Sequence, residues 1–316
     1  MVEAYQFGIY PRSEEVVAAT RGLDRGRTSP EEVAVAFKRD RAEFVRVQQE
    51  AGLDYFSDGL LRWQDLFRPL VEATPGLEAR ALVRWFDNNA FFRAPELTGP
   101  LGRAEVSHVF EDGAEVPEPR VATLPSPFLF SRVVRGASDR DGLMVELARL
   151  VLAPVAGALA ERGYRLLHLQ EPWLPYFGIE EGSWGSFERA LAEVREAAPG
   201  ARLVLHTCFA DAAPYAGRLR RLPVDAVGVD FVETDLEALG SGWEVGLLAG
   251  VVDGRRSLLE PVDRTAAFVR RAAEALSPPF VLVSSSCELE FLSEPLARRK
   301  VLRLGEVARA LKEAGL

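Results

Sequence analysis

Short apolar runs alternate with helix-period segments along nearly all 316 residues of this chain. Strands are predicted at 5–10, 53–58, 121–125, 165–170, 202–207, 225–230, 245–251 and 280–285, and helices at 30–50, 141–162, 185–198, 263–276 and 294–314. Such alternation is typical of βαβ units and a parallel sheet. The pattern therefore predicts an α/β fold, a single (β/α)8 TIM barrel spanning residues 1–316, with a doubly wound open sheet as the alternative.

One aromatic stretch, from about 80 to 118, interrupts the alternation between the second and third predicted strands. It contains the run Leu82-Val83-Arg84-Trp85-Phe86-Asp87-Asn88-Asn89, which is too aromatic for a disordered segment. Long connections inside compact domains are usually either functional or disordered. We therefore predict a β-hairpin-like insertion at about 80–118.

Charge and composition argue against several classes of protein. Lys and Arg number 38 against 47 Asp and Glu, a net charge of −9, which argues against a nucleic-acid-binding surface. No Gly-x-Gly-x-x-Gly follows the first predicted strand and no Walker motif occurs, so nucleotide binding has no support. We find no leader pattern and no apolar run long enough to span a bilayer, and expect no membrane association. Two cysteines in so long a chain indicate a reducing, cytoplasmic setting.

Both cysteines stand at the ends of predicted buried strands. Cys208 ends the run Leu203-Val204-Leu205-His206-Thr207-Cys208, and Cys287 follows the run 280–286. Thiolates and imidazole are ligands that zinc prefers, and His206, Cys208 and Cys287 supply three of its four tetrahedral positions. The alternative is that both cysteines are small hydrophobic residues of the core. The joint placement of two thiols and an imidazole at strand ends favours the metal.

Asp230 is the predicted fourth ligand, because it ends the strand next to the one that carries His206 and Cys208. In a barrel the C-terminal ends of the strands converge on one face, where active sites are built. A buried aspartate there needs a hydrogen-bonding or charged partner. The alternative is that Asp230 caps a turn or the next helix. His168, which the metal pattern does not require, is predicted to be a hydrogen-bonded structural residue.

Several motifs resemble those of the cobalamin-independent methionine synthases, within the barrel superfamily that also holds uroporphyrinogen decarboxylase. Residues 7–12 resemble the family's opening Gly-Ser-Phe-Pro, and 48–54 with Asp58-Gly59 resemble its Gln-x-x-x-Gly-x-Asp segment and following Gly-Glu. Arg84-Trp85-Phe86-Asp87-Asn88-Asn89 is similar to the Lys-Trp-Phe-Asp-Thr-Asn motif of the long enzymes' N-terminal half, and Leu169-Gln170-Glu171-Pro172 is similar to Ile-Asp-Glu-Pro. The resemblance covers nearly the whole chain and implies a barrel, bound zinc and methyl transfer.

The resemblance also implies roles for single residues. Four residues fall where the family has its zinc-binding His, Cys, Glu and Cys: His206, Cys208, Asp230 and Cys287. The three positions that hold the amino-acid head of homocysteine are changed here, to Ile9, Leu60 and Gln170. The family's Cys-Gly-Leu-Lys-Thr-Arg is replaced by Cys287-Glu288-Leu289-Glu290-Phe291-Leu292. Aliphatic side chains cannot bind an ammonium or a carboxylate. We therefore predict that the head of the acceptor is held by Arg12, Asp58 and Glu171 near the strand ends, with Gln170 as a further substrate-binding candidate.

The chemistry suited to such a site is methyl transfer to a small thiol, by default homocysteine, which gives methionine. Zinc deprotonates a bound thiol, and the thiolate is the nucleophile. A methylfolate donor needs an acid for its leaving amine, for which Glu171 and Asp253 are the catalytic candidates, whereas a methyl-corrinoid donor needs a docking surface. A flat donor ring can stack on an aromatic side chain. Trp173 is one candidate for such stacking, and it is equally a candidate for a residue of the core. Two alternatives stay open: a zinc thiol-alkyltransferase with a corrinoid-protein or epoxide donor, and a metal-free barrel without catalysis.

Overall fold

The computed structural model describes residues 2–109 and 115–316, apart from the side chain of His108. Its strands are β1 (Val2–Ala4), β2 (Leu77–Arg84), β3 (Phe91–Leu97), β4 (Arg120–Pro125), β5 (Tyr164–Gln170), β6 (Arg202–Thr207), β7 (Ala226–Asp230), β8 (Gly246–Val252) and β9 (Val281–Ser285). Seven of them form one curled sheet in the order β1-β9-β8-β7-β6-β5-β4, and every neighbouring pair is parallel.

The two edges of this sheet are linked through residues 55–56. Tyr55 makes a parallel bridge to Tyr5, which directly follows β1, and Phe56 makes one to Arg120 at the start of β4. The edge strands of the curled sheet therefore both have a backbone partner in the same short segment.

Helices connect most of the strands. They are α1 (Glu14–Asp24), α2 (Pro30–Ala51), α3 (Arg68–Glu72), α4 (Pro127–Val133), α5 (Arg140–Leu147), α6 (Ala153–Glu161), α7 (Trp173–Phe177), α8 (Trp184–Ala197), α9 (Ala216–Leu219), α10 (Val262–Leu276) and α11 (Glu294–Glu313). Helix α2 begins where its sequence predicts, because the Ser29 side chain accepts the N–H of Glu32 while the Glu32 side chain accepts that of Ser29. It ends at Gly52, whose left-handed conformation suits glycine.

Six predicted strands, from 121–125 to 280–285, agree with β4 to β9 within one residue at each end. The prediction of a first strand at 5–10 is wrong, because β1 ends at Ala4 and only Tyr5 adds a bridge. Gly8 has a positive φ of 74°, which turns the chain away from the sheet inside the apolar run. The second predicted strand, 53–58, is reduced to single bridges at Tyr55 and Phe56.

Strands β2 and β3 form a separate antiparallel pair within the aromatic stretch. Its register shifts between Ala79 and Leu82, which marks a bulge or an irregularity in β2. The hairpin begins three residues before the predicted insertion, and residues 110–114 of that insertion lie outside the described residues. A β-hairpin therefore occurs in the chain between the bridging segment 55–56 and β4.

A small core lies inside the curl of the sheet, and a much larger one lies between the sheet and the helices. The inner core takes one side chain from each of β4 to β9, together with residues near β1 and the bridging segment: Tyr5, Phe7, Tyr55, Val121, Leu166, Val204, Ala226, Leu248 and Leu282. Interior positions of barrel-like sheets are filled by side chains in this way. The strands therefore enclose a packed interior with its open mouth at their C-terminal ends.

The helical region Arg140–Glu161 is long and apolar enough to cross a membrane by length and composition, with a mean hydropathy of 1.8. The prediction that the chain has no apolar run of this length is therefore wrong. Half of the apolar window is buried inside the protein, where α5 and α6 pack against α8. A helix that packs in the interior of a protein can have the same length and apolar composition as one that crosses a membrane.

Candidate functional site

The C-terminal ends of β6 to β9 carry the side chains that were predicted to bind a metal. His206 lies near the end of β6 and Cys208 follows that strand, while Asp230 ends β7 and Cys287 lies two residues after β9. All four side chains are buried. Burial, and then the negative charges of the other groups, raise the pKa of both thiols well above the ordinary value. The two thiols and the Asp230 carboxylate therefore lie within electrostatic reach of one another.

His206 is enclosed by the curl of the sheet. Its ring packs edge to face on Phe7, with centroids 5.0 Å apart, and on His168 at 5.2 Å. The facing position on β7 is Gly228, where a Cβ would lie 2.5 Å from His206 Cδ2, so only glycine leaves room for the imidazole. Burial lowers the pKa of His206 to about 3, which keeps the ring neutral. Neither ring nitrogen has a hydrogen-bond partner in the described part of the chain.

Asp230 is held in place by backbone donors. Oδ2 accepts the N–H of Phe209 at 3.1 Å, and Oδ1 accepts the N–H of Val232 at 3.0 Å. Burial raises the pKa of Asp230 to about 7, because these hydrogen bonds offset the lost hydration only in part. Phe209, next to Cys208, has a positive φ of 75°, and such strained residues cluster at functional sites. Both readings of Asp230, as a turn residue and as a ligand, agree with this geometry.

The chemistry of this donor set fits zinc. One neutral imidazole with two unpaired nitrogens, two buried thiols and one carboxylate are the ligand types of tetrahedral zinc sites. Across residues 2–109 and 115–316, however, no three His, Cys, Asp or Glu side chains are arranged so that they could hold a metal ion as they stand. Binding zinc would therefore require these side chains to move together.

Glu288, directly after Cys287, is a buried carboxylate that was not among the predicted site residues. Its Oε2 accepts a hydrogen bond from Gln170 Nε2 at 2.9 Å, and its Oε1 accepts one from Trp85 Nε1 at 3.2 Å. Burial raises the pKa of Glu288, and its hydrogen bonds, including one from the backbone of Ile9, act in the opposite direction. The sequence offered one signal for this residue: Glu288 stands where the family has a glycine, directly after the predicted ligand Cys287. Its partners could not be read from the sequence, since they lie 118 and 203 residues away.

Arg255 is a second residue that the sequence analysis missed. Its guanidinium donates a hydrogen bond to Glu233 and lies 5.5 Å from the centre of the Phe209 ring. Burial lowers the pKa of Arg255, but the acidic groups of Cys287, Glu233 and Asp230 together outweigh this effect and leave the pKa above its ordinary value. A cation therefore lies beside the buried acidic groups.

The two predicted catalytic acids serve as hydrogen-bond acceptors for backbone in this structure. Glu171 Oε1 accepts the N–H of Leu174 at 2.9 Å, and Oε2 accepts that of Leu129 at 3.1 Å and the Ser126 hydroxyl. It thus joins the first turns of α4 and α7, and burial raises its pKa to about 7. Asp253 Oδ1 accepts the backbone N–H groups of residues 255 and 256 at 2.8 and 3.2 Å.

Two of the remaining predicted substrate residues, Arg12 and Asp58, lie in the loops that follow the bridges at Tyr5 and at residues 55–56. Arg12 donates to the carbonyls of Leu61 and Trp63, at 2.8 and 2.9 Å, so its guanidinium holds the loop after residues 55–56. Asp58 Oδ1 accepts the N–H of Leu60 at 2.9 Å, and burial raises the pKa of Asp58. Gln170, by contrast, donates a hydrogen bond to Glu288, which directly follows Cys287.

An aromatic cluster covers the mouth of the sheet. Phe86, on the turn of the hairpin, stacks on Phe177 with centroids 5.7 Å apart and meets Phe209 at 5.5 Å. Trp173 packs against Phe177 at 4.5 Å, so this tryptophan belongs to the cluster at the mouth. Phe177 is 59% exposed, which leaves part of the cluster open to solvent.

His168, predicted to be a hydrogen-bonded structural residue, has a partner at one ring nitrogen, whereas its Nε2 is buried without a hydrogen-bond partner in the described part of the chain. Its Nδ1 lies 3.0 Å from the hydroxyl of Tyr5, and its ring stacks on Phe7 with centroids 3.7 Å apart.

Comparison with known proteins agrees with this architecture. The methionine synthase of Saccharolobus islandicus (strain L.S.2.15) is 24% identical over 318 residues, which cover 97% of this chain and 93% of that protein. The methionine synthase of Saccharolobus solfataricus is 25% identical over 321 residues, with coverage of 97% and 93%. The solved structure of a B12-independent methionine synthase from Shewanella sp. W3-18-1, in complex with selenomethionine, superposes with a TM-score of 0.75 at 17% identity, covering 99% of this chain and 98% of that one.

The curled parallel sheet, with thiols, an imidazole and carboxylates at the C-terminal ends of its strands, shares the α/β fold of that solved structure. The family described as the cobalamin-independent synthase N-terminal domain matches residues 71–277, well over half of the chain. The chain therefore belongs to the cobalamin-independent synthase family, a family of methyltransferases, as its motifs predicted.

Proposed function

We propose that this chain is a zinc-dependent methyltransferase that transfers a methyl group to a small thiol, with homocysteine as the default acceptor and methionine as the product. The observation that carries the proposal is the buried His206 ring, which has two unpaired nitrogens and stands on the strand that leads to Cys208. Buried polar groups in proteins are nearly always paired, so an unpaired imidazole indicates a missing partner. Membership of the family supports the reaction.

His206, Cys208, Asp230 and Cys287 are the residues that would hold the zinc. When bound, the metal would lower the pKa of the acceptor thiol so that the reactive thiolate forms at neutral pH. The N–H groups of Phe209 and Val232 fix the Asp230 carboxylate, which limits its rotation beside the thiols.

We propose that Glu171 donates the proton that the leaving amine of a methylfolate donor requires. A pKa of about 7 leaves this carboxyl protonated in roughly half of the molecules near neutral pH, as a general acid requires. Asp253 is the second candidate for this acid, and its proposed role likewise requires a methylfolate donor. The polar head of the acceptor would be held among Arg12, Asp58, Gln170 and Glu171.

The methyl donor is proposed to enter through the aromatic cluster. Phe86, Trp173 and Phe177 offer ring faces at the mouth, and Phe177 is largely exposed. Such faces suit a planar pterin of a methylfolate, which is our first candidate, and a methyl-corrinoid is the second.

We also propose that the fold is one closed (β/α)8 barrel over residues 1–316, with residues 55–56 in the place of the missing strand. The bridges of Tyr55 and Phe56 to the two edges of the sheet support this closure. The hairpin of β2 and β3 would then be an insertion whose Trp85 reaches Glu288. Free thiols at Cys208 and Cys287 support a reducing cytoplasmic location.

The zinc content of the purified protein tests the proposal. Protein produced with zinc in the medium should hold about one zinc per chain, and Cys208→Ser and Cys287→Ser should each lose most of it, because thiolates dominate the affinity. Thr207→Val is the matched control. It lies between His206 and Cys208, but its hydroxyl donates to the Gly228 carbonyl at 2.8 Å, so the variant should keep its zinc.

A metal-free barrel is the second candidate function. It is favoured by the lack of three preassembled ligands among the described residues and by the match to an N-terminal domain family. Wild-type protein without zinc would support it and refute the first proposal. If zinc is present, homocysteine methylation with methylfolate and with methylcobalamin identifies the donor, and an epoxide or corrinoid-protein donor becomes the alternative if both fail.

A further inference from the structure

Glu288 has three hydrogen-bond donors directed at its carboxylate. They are the Gln170 side-chain amide at 2.9 Å, the Trp85 indole at 3.2 Å and the backbone N–H of Ile9. The approach of Glu288 and Gln170 depends on Gly8, because a Cβ there would lie 2.6 Å from Glu288 Cβ and 2.8 Å from Gln170 Nε2. The chain therefore builds a fixed carboxylate into the mouth of the site, directly after Cys287.

The atoms beside Glu288 that could still form a hydrogen bond are acceptors. Gln170 Oε1 is buried without a hydrogen-bond partner, and its orientation follows from the donation of Nε2 to Glu288. The donors of Gln170, Trp85 and Ile9 already face the carboxylate. An incoming carboxylate would meet like charge and unpaired acceptors, whereas an ammonium group would donate to both Glu288 and Gln170.

A small cavity borders the same carboxylate. It has about 20 Å³ of water-accessible space, enough for one water molecule or one ammonium group. Glu288 and Glu290 place carboxyl groups in its wall, and Phe67, Trp85 and Phe92 contribute aromatic surface. Carboxylates together with aromatic faces favour a cation.

We propose that Glu288, positioned by Gln170 and Trp85, is a specificity-determining residue that binds a protonated amine of the acceptor. The acceptor is then a small aminothiol, and a thiol that presents a carboxylate at this position is rejected. Homocysteine meets the requirement only with its ammonium group facing Glu288. This inference rests on the proposed thiol acceptor function.

Calorimetric titration of the zinc-loaded protein with three thiols of similar length tests the inference. They are 3-mercaptopropylamine, 3-mercaptopropanol and 3-mercaptopropionate, whose head groups are positively charged, neutral and negatively charged at neutral pH. The amine should bind at least about tenfold more tightly than the alcohol, and the acid more weakly than the alcohol. Glu288→Gln should abolish the advantage of the amine and leave the alcohol unchanged.

Glu180→Gln is the matched control, since it removes an exposed carboxylate from the segment between α7 and α8 and should leave all three affinities unchanged. Gln170→Leu removes the free acceptor without a change of charge, and should reduce the amine advantage even if Glu288→Gln fails to fold. Equal binding of all three thiols by the wild type would overturn the amine site and leave the thiol function standing. No binding of any thiol would overturn both. An amine advantage that survives in a folded Glu288→Gln variant would also overturn the assignment to Glu288.

Discussion

Substitution of Gly228 by alanine should displace His206 and destabilise the protein. Gly228 faces His206 across the β6–β7 register, and an added Cβ would lie 2.5 Å from Cδ2, 2.6 Å from Cγ and 2.9 Å from Cβ of that histidine. Ordinary contacts between carbon atoms are about 3.5–4.0 Å, so the ring must move by roughly 1 Å. Phe7 and His168 pack on the ring, and Gly250 faces it so closely that a Cβ added there would lie 3.1 Å from Nε2, so the interior offers little space for that movement.

The magnitude follows from two opposing effects. Overpacking of a rigid core costs about 1–3 kcal/mol, while the reduced freedom of the unfolded chain returns about 0.4–1 kcal/mol when glycine becomes alanine. We therefore expect Gly228→Ala to lower the free energy of unfolding by roughly 1–2 kcal/mol, together with a loss of zinc. Urea unfolding of the metal-free protein measures the first effect, and metal analysis measures the second.

Gly185→Ala is the matched control. Gly185 lies in α8, where an added Cβ meets no atom within 4 Å, so the same substitution should be neutral or stabilising by up to about 1 kcal/mol. Surface substitutions usually change the free energy of unfolding by no more than about 0.5 kcal/mol. The reasoning would be refuted if Gly228→Ala changed that free energy by no more than this amount and kept its zinc.

Two further predictions concern buried charges. The pKa of Glu171 is raised from 4.5 to about 7, so the folded state holds a proton that the unfolded state loses, and stability falls as pH rises from about 4.5 to 7. Urea unfolding at pH 5 and pH 8 should show a loss of up to about 3 kcal/mol in the wild type that is absent from Glu171→Gln, and equal pH dependence of the two proteins would contradict the shift. Lys300 is fully buried and lies 2.7 Å from Glu260, so Lys300→Met should cost about 3–5 kcal/mol by leaving that carboxylate unpaired. A cost below about 1 kcal/mol in denaturant unfolding would show that Glu260 finds another partner or hydration.

Much of the architecture could be predicted because its causes are local. Apolar runs of strand length lie at β4 to β9 within one residue, and Ser29 with Pro30 marks the start of α2, since strand periodicity and helix capping depend on neighbours in sequence. Residues at the ends of parallel strands share one edge of the sheet, so the placement of His206, Cys208 and Cys287 also followed from the pattern.

Tertiary structure alone decided how the polar groups are used. The apolar run at 5–10 looked like a strand, but Gly8 turns it away so that Glu288 and Gln170 can meet beside it. Glu171 was predicted as a catalytic acid, and only the fold shows that its oxygens also accept backbone N–H groups from the first turns of two helices. The carboxylate of Glu288 is held by hydrogen bonds from Gln170 and Trp85, which lie more than a hundred residues away in the chain. Periodicity reports which face of an element is buried, but a buried carboxylate is determined by the donors that the whole fold brings to it.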